Sequence, residues 1–197
     1  MDGAFGLWAA ASPRTRHLIS GYEAADSWVS DGHKWLNTPY DCGFAICRWP
    51  QAVHAVMATV APYLKAGEVA APKDMVPEFS RSARGIEVWA ALRSLGRGGV
   101  ADLVERCCRL ARLFADELRA AGFEILNDVV LNQVVATLPG REEQMPEISA
   151  RVRAGGEAWF GPTRWRGVDA IRLSVSSWVT TEEDVHRTVA AIRAAIP

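Results

Sequence analysis

The sequence predicts an α/β fold in its first half, followed by a compact α+β unit from about Val100 to Pro197. Three observations carry this. Gly43 to Trp49 is apolar nearly throughout, the pattern of a strand buried on both faces in a parallel or mixed sheet packed by helices. Val100, Leu103, Val104, Cys107, Leu110, Ala111, Phe114, Leu118 and Ala121 recur at steps of three and four, which is the buried stripe of one long helix. Ile171 to Ser176 alternates with the period of a strand.

The elements follow in order. Ser12-Pro13 is a helix start, serine as cap and proline in the first turn, and Gly21 ends that helix after His17-Leu18-Ile19. A short strand runs through Ser27 to Ser30, and Gly43 to Trp49 is the next. Pro50 opens a helix through Val53, Val56 and Val60 that stops at Pro62. Lys65 to Ser80 has no clear period and reads as a loop of functional length. Gly85 to Leu95 forms a helix expected to turn Ile86, Trp89, Ala90 and Leu92 inward, and Gly96-Arg97-Gly98-Gly99 breaks it. The long helix then runs to Gly122, a residue suited to the left-handed turn at a helix end. Phe123 to Leu126 and Gln133 to Leu138 are strands, with Asn127 and Asp128 between them. Glu142 to Ala154 is a helix closed by Gly155-Gly156. After the strand at Ile171, Thr180 and Glu183 make a capping box for a last helix carrying Val185, Val189, Ile192 and Ile196. There is no internal repeat and no low-complexity tract.

Composition excludes several functions. With 197 residues, 49% of them hydrophobic, the chain is long enough to bury a sizeable core in one or two domains. A formal net charge of -1, with arginines scattered among acids, argues against a nucleic-acid binder. No apolar run reaches the length of a membrane span, and Met1-Asp2-Gly3-Ala4 does not open a signal peptide, so no membrane association and a cytoplasmic location are expected. Cys42, Cys47, Cys107 and Cys108 lack zinc-ligand spacing and read as free thiols. His17, His33, His54 and His186 are dispersed, so no metal site is expected.

The chemistry concentrates in Asp26-Ser27-Trp28-Val29-Ser30-Asp31-Gly32-His33-Lys34-Trp35-Leu36-Asn37. A lysine between His33 and Trp35, in a half-buried pocket, would lose hydration and become a free amine able to attack a carbonyl. The other reading is a strand-edge lysine beside an apolar segment.

Together with Asp2-Gly3-Ala4-Phe5-Gly6-Leu7-Trp8, this stretch resembles the group II pyridoxal-phosphate-dependent amino acid decarboxylases, the fold type I family of the aromatic amino acid and glutamate decarboxylases. Pro39-Tyr40-Asp41-Cys42-Gly43, Ser80-Arg81-Ser82-Ala83-Arg84-Gly85 with Val88-Trp89-Ala90-Ala91-Leu92, and Arg172-Leu173-Ser174-Val175-Ser176 look like further landmarks in the family's usual order. The resemblance implies that residues 1–98 are the carboxy-terminal portion of the cofactor-binding large domain and residues 99–197 the small α+β domain. It implies pyridoxal 5'-phosphate as cofactor, held by Lys34 as an internal aldimine. His33 would contact its phosphate or the substrate adduct, Asp2 would pair with the pyridinium nitrogen, and Ala4 would pack on the ring face. Asp2 and Lys34 are 32 residues apart (34 minus 2), about one helical crossover plus a strand. Arg172 would take the substrate carboxylate, its other reading being a structural arginine on a small-domain strand. The implied reaction is loss of the carboxylate from an amino acid substrate, in a homodimer or in a complex with the missing large-domain half.

Three departures qualify that expectation. Many relatives carry a neutral residue at the position of Asp31, and an aspartate there would repel a phosphate unless it turns away or pairs with a cation. The Lys65 to Pro77 loop has no tyrosine, and Tyr63 before it reads as packing. The resemblance also begins at Asp2, so the family's amino-terminal arm and most of its large domain are absent from this sequence, which implies exposed sheet edges and apolar surface. A non-catalytic truncated paralogue that dimerises with or regulates a full-length relative, or another fold type I activity such as an aminotransferase or a lyase acting at sulfur, would leave similar residues. The substrate is not legible.

Overall fold

A computed structural model of the chain describes residues 1–59 and 71–197, which form a mixed α/β fold. The expected helix end at Val60 and Pro62, Tyr63, and the loop residues before position 71 lie outside the described residues.

Where an α-helix is expected from Ser12 to Gly21, the chain forms a single 3₁₀ turn, Arg16–Ile19, with further 3₁₀ turns before it at Gly6–Ala11 and after it at Tyr22–Ala24. Local side-chain hydrogen bonds explain the difference, because they offer the backbone an alternative to helix. The Arg14 amide donates to Ser12 Oγ (3.0 Å), and the Thr15 hydroxyl turns back to the Ala9 carbonyl (2.8 Å). Gly21 does interrupt the run, in the left-handed region at φ +89°.

Strands β1 (Ser27–Asp31) and β2 (Gly43–Cys47) pair antiparallel, Ser27 opposite Cys47 and Asp31 opposite Gly43. The first residues add a parallel rung. Val29 donates to the Met1 carbonyl (3.0 Å) and Gly3 to the Val29 carbonyl (2.8 Å), so Asp2 sits beside β1. The expectation that β2 is buried on both faces is overturned: Gly43, Ala45 and Ile46 are exposed. Phe44 packs edge-on against Trp8 (ring centres 6.4 Å apart), and among the described residues nothing covers Ala45 or Ile46.

Helix α1 (Pro50–Met57) begins with proline in its first turn, and a 3₁₀ turn follows at Pro72–Met75. Helix α2 (Gly85–Ala120) is long because the expected four-residue break contracts to one residue, Gly96, at φ +62° and ψ -175°. Its first turns also correct an expectation. Ile86, Trp89, Ala90 and Leu92 are exposed, Ile86 at 65% and Trp89 at 64%, while Val88 and Ala91 turn toward the body. Nothing among the described residues covers that apolar stripe. Beyond Gly96 the helix buries the expected residues, Val100, Leu103, Val104, Cys107, Leu110, Ala111, Phe114 and Leu118, and it ends before Gly122 at φ +89°.

The second sheet is antiparallel in the order β3-β4-β6-β5, from β3 (Glu124–Ile125), β4 (Gln133–Thr137), β5 (Gly161–Trp165) and β6 (Val168–Ser174). Strand β5 was not expected, since Pro162 argues against a strand. At the sheet edge proline is tolerated, and Arg166 and Gly167, both at positive φ (48° and 88°), form the tight hairpin turn into β6. Helix α3 (Met145–Ala154) follows a 3₁₀ turn, and α4 (Glu182–Ala194) completes the layer over the sheet. Ile171 and Leu173 face these helices, while Arg172 between them is exposed on the other side. Leu118, Ile148, Ile171, Val185 and Ile192 are fully buried, each such side chain contributing about 1.5–3 kcal/mol.

The final cap lies one residue later than the sequence pattern indicated. Thr181, not Thr180, caps α4, with Asp184 in place of Glu183: Thr181 donates its amide to Asp184 Oδ2 (2.8 Å), and Asp184 returns its amide to Thr181 Oγ1 (3.3 Å). Thr180 is held in the preceding turn by the Ser177 carbonyl (3.4 Å). Thr181→Ala is expected to lower stability by about 1 kcal/mol in urea unfolding, and Thr180→Ala by less than about 0.5 kcal/mol.

The four cysteines are unpaired. Burial pushes the Cys107 thiol up to about 11 and raises Cys108 as well, so both are packing residues and poor nucleophiles. No described helix is long and apolar enough to cross a membrane.

Candidate active site

Lys34 sits in the turn that follows β1. The turn is pinned at several points. Gly32 donates to the Cys42 carbonyl (2.8 Å), and Thr38 donates to the Gly32 carbonyl (3.2 Å). Gly32 is required here, since a Cβ would lie 2.7 Å from Thr38 Oγ1 and 3.0 Å from Cys42 Sγ. Trp35, fully buried in the core, donates its indole N–H to the Phe5 carbonyl (3.1 Å). Asn37 ties the turn to the segment before α4, donating to the Ser176 carbonyl (2.9 Å) and accepting from the Trp178 amide (3.2 Å). Arg84, at the start of α2, pairs with Asp41 (2.8 Å) and holds that carboxyl below its ordinary range.

Within this frame Lys34 Nζ lies 2.6 Å from Asp31 Oδ2 and 4.9 Å from the centre of the Phe5 ring. Asp31 therefore takes the second of its two options, pairing with a cation. Asp2, brought alongside by the rung to Val29, accepts the Ala4 amide at Oδ1 (3.0 Å). Lys34, Asp2 and Ala4 line one cavity of about 420 Å³, with Phe5 and residues of the 127–133 loop between β3 and β4.

The other two sequence-derived candidates do not line it. The His33 ring is turned to Cys42, whose amide donates to Nδ1 (3.0 Å) and whose carbonyl is 2.8 Å from the same nitrogen, and it packs on the Tyr40 ring with centres 4.1 Å apart. Arg172 stands on the exposed face of β6, opposite Val135 and Gly161.

The loop wall was missed from sequence. Asn132 is fully buried and donates to the Val175 carbonyl (2.8 Å), which fixes its amide orientation and leaves Oδ1 without a partner. The polar pair Asn132-Gln133 between Leu131 and Val134, at the start of β4, was the available signal.

An amine and a carboxylate on one cavity, with a small side chain beside them, suit the carbonyl and ring nitrogen of pyridoxal phosphate. For its phosphate the lining offers, among the described residues, no cation besides Lys34. The residues present thus fit one part of that molecule.

Residues 1–138 match the family described as the pyridoxal-dependent decarboxylase conserved domain. The chain is 29% identical to 4-hydroxyphenylacetaldehyde synthase of Rhodiola rosea, over 94% of this chain and 40% of the relative. It is 28% identical to aromatic-L-amino-acid decarboxylase of Drosophila lebanonensis, over 99% of this chain and 49% of the relative. The structure of Oryza sativa TDC with PLP and tryptamine superposes with a TM-score of 0.88 at 26% identity, covering 98% of this chain and 43% of that one. The chain therefore spans between two fifths and half of the length of these relatives.

Proposed function

The chain belongs to the pyridoxal-dependent decarboxylase family, and we propose that it is the lysine-bearing, carboxy-terminal part of a fold type I carboxy-lyase that decarboxylates an amino acid. In this reading residues 1–98 complete the large domain and residues 99–197 are the small domain, a division falling just after the Gly96 bend in α2. The observation that carries the proposal is the cavity shared by Lys34, Asp2 and Ala4. The relatives' printed activities, decarboxylation of aromatic amino acids among them, support the reaction class.

Pyridoxal phosphate, when bound, supplies an electron sink for cleavage of a bond next to the substrate amino group. The protein supplies the rest. Lys34 would hold the cofactor's carbonyl end through Nζ, and its ion pair with Asp31 Oδ2 would have to open to free that amine. Asp2 would pair with the ring nitrogen and favour its protonated form, and Ala4 would leave room for a flat ring. Phe5 and residues of the 127–133 segment form the remaining described wall of the cavity. His33 is anchored by Cys42 outside the described wall, so a contact of its other ring nitrogen with the phosphate or substrate would require a site extending beyond that wall. Arg172 has no acid partner among the described residues, which leaves its guanidinium available for bidentate capture of a carboxylate, in a site extending beyond the described walls.

The uncovered surfaces support a larger working unit. The Ile86, Trp89 and Leu92 stripe and the exposed Ala45 and Ile46 of β2 are apolar, and among the described residues the Lys34 cavity lacks further cations for a phosphate. The amino-terminal part of the same fold, or a second subunit, would cover the first and supply the second.

The test is a titration with pyridoxal phosphate followed by visible absorbance, with product analysis on aromatic, acidic and small aliphatic amino acids in the presence of whatever segment completes the site. A saturable band and an amine product support the proposal; a keto acid product points to transamination, and the absence of a band even from the completed protein overturns it. Asp2→Ala is expected to weaken the titration about tenfold, the effect of losing one charge-assisted contact.

A further inference from the structure

We propose that a second cavity, separated from the Lys34 cavity by Val130, binds a small organic anion through Arg109 and Arg112. This cavity, about 330 Å³, lies between the 3₁₀ turns of the first segment, α2 and the loop before β4, and Val130 lines both. Its size suits a small metabolite. It is independent of the reading of Lys34.

Arg14, Arg109 and Arg112 line it against one acid among the described residues, Glu105. That acid is already committed: Ser12 donates its hydroxyl to Oε1, and Arg14 Nε is 3.4 Å from Oε2. Arg109 has only a long, exposed contact to Glu182 (3.6 Å). Arg112 has no acid partner among the described residues. Arg109 and Arg112 are one turn apart on α2, so their guanidinium groups reach the same rim. Three guanidinium groups against the carboxylates of Glu105 and Glu182 leave an excess positive charge at the mouth.

Leu18 and Val130 contribute apolar surface to the same cavity. A positive rim over an apolar wall selects an anionic head attached to an apolar body. Guanidinium forks donate paired hydrogen bonds to phosphate or carboxylate oxygens, so the shared chemistry is that of an aryl or alkyl phosphate or carboxylate.

The test uses the full chain, titrated by calorimetry with phenyl phosphate, benzoate, inorganic phosphate and benzyl alcohol. Phenyl phosphate or benzoate is expected to saturate, the tighter of the two naming the head group, with inorganic phosphate weaker and benzyl alcohol not saturating. Arg112→Gln should reduce the affinity about tenfold, and the pair Arg109→Gln with Arg112→Gln further, because each substitution removes a charge-assisted contact. Both positions are exposed, and an unchanged thermal transition verifies that the fold persists. Failure of both aryl anions to saturate, equal affinity in the double variant, or equal binding of benzyl alcohol overturns the proposal.

Discussion

Trp35→Ala is expected to destabilise the chain by about 3–5 kcal/mol, measured by urea unfolding followed by circular dichroism. Trp35 is packed on every side: it has no solvent-accessible surface, and it joins the core shared by α2, α4 and the second sheet. It is also the residue through which the turn bearing Lys34 is anchored, by the indole N–H to the Phe5 carbonyl (3.1 Å). Truncation would therefore leave a large cavity and release the wall that Phe5 contributes beside Lys34. Trp35→Phe separates the two effects. It keeps most of the packing and removes the donor, so its cost should be smaller, about 1–3 kcal/mol, with the positioning of Phe5 still impaired.

Lys34→Arg should reduce borohydride-trapped pyridoxal phosphate on the chain to background while leaving the unfolding transition within about 0.5 kcal/mol of the parent. Arginine retains the positive charge for Asp31 and the aliphatic stem beside Phe5. A guanidinium stays protonated and does not supply the free amine that attacks a carbonyl. The two readouts separate chemistry from structure. A variant that traps as well as the parent would remove Lys34 from the proposed role, and one that unfolds would show the lysine to be a packing element.

What could be read from the sequence depended on whether the deciding interaction was local. The buried stripe from Val100 to Leu118 and the stop at Gly122 are written in nearest neighbours along one helix, and both are present. The faces of β2 and of the first turns of α2 were legible as apolar, but periodicity states only that a face suits burial. Cover comes from other elements, and Ile86, Trp89 and Ala45 have none among the described residues. At the start of α4 two overlapping threonine pairs compete, and the turn that holds Thr180 decides in favour of Thr181. Strand β5 was hidden by Pro162, which is acceptable only because β5 lies at an edge.

The candidate site divides in the same way. Lys34, Asp2 and Ala4 were identifiable as motif residues, and one strand with its flanking rung brings their segments side by side. The 127–133 wall depends on contacts nearly one hundred residues distant in sequence, for which no local pattern exists. Asn37 is a similar case, since its partners at Ser176 and Trp178 appear only once the chain has folded back.

The most direct test of the central claim, that Lys34 is the amine in a carbonyl-binding cavity, is peptide mapping of the borohydride-reduced adduct with pyridoxal phosphate. The chain contains only three lysines, Lys34, Lys65 and Lys73, so mass spectrometry can assign the site without ambiguity. The account predicts a single saturable adduct on Lys34 at substoichiometric to equimolar cofactor. An adduct confined to Lys65, Lys73 or the amino terminus, or spread equally over all of them, would contradict it.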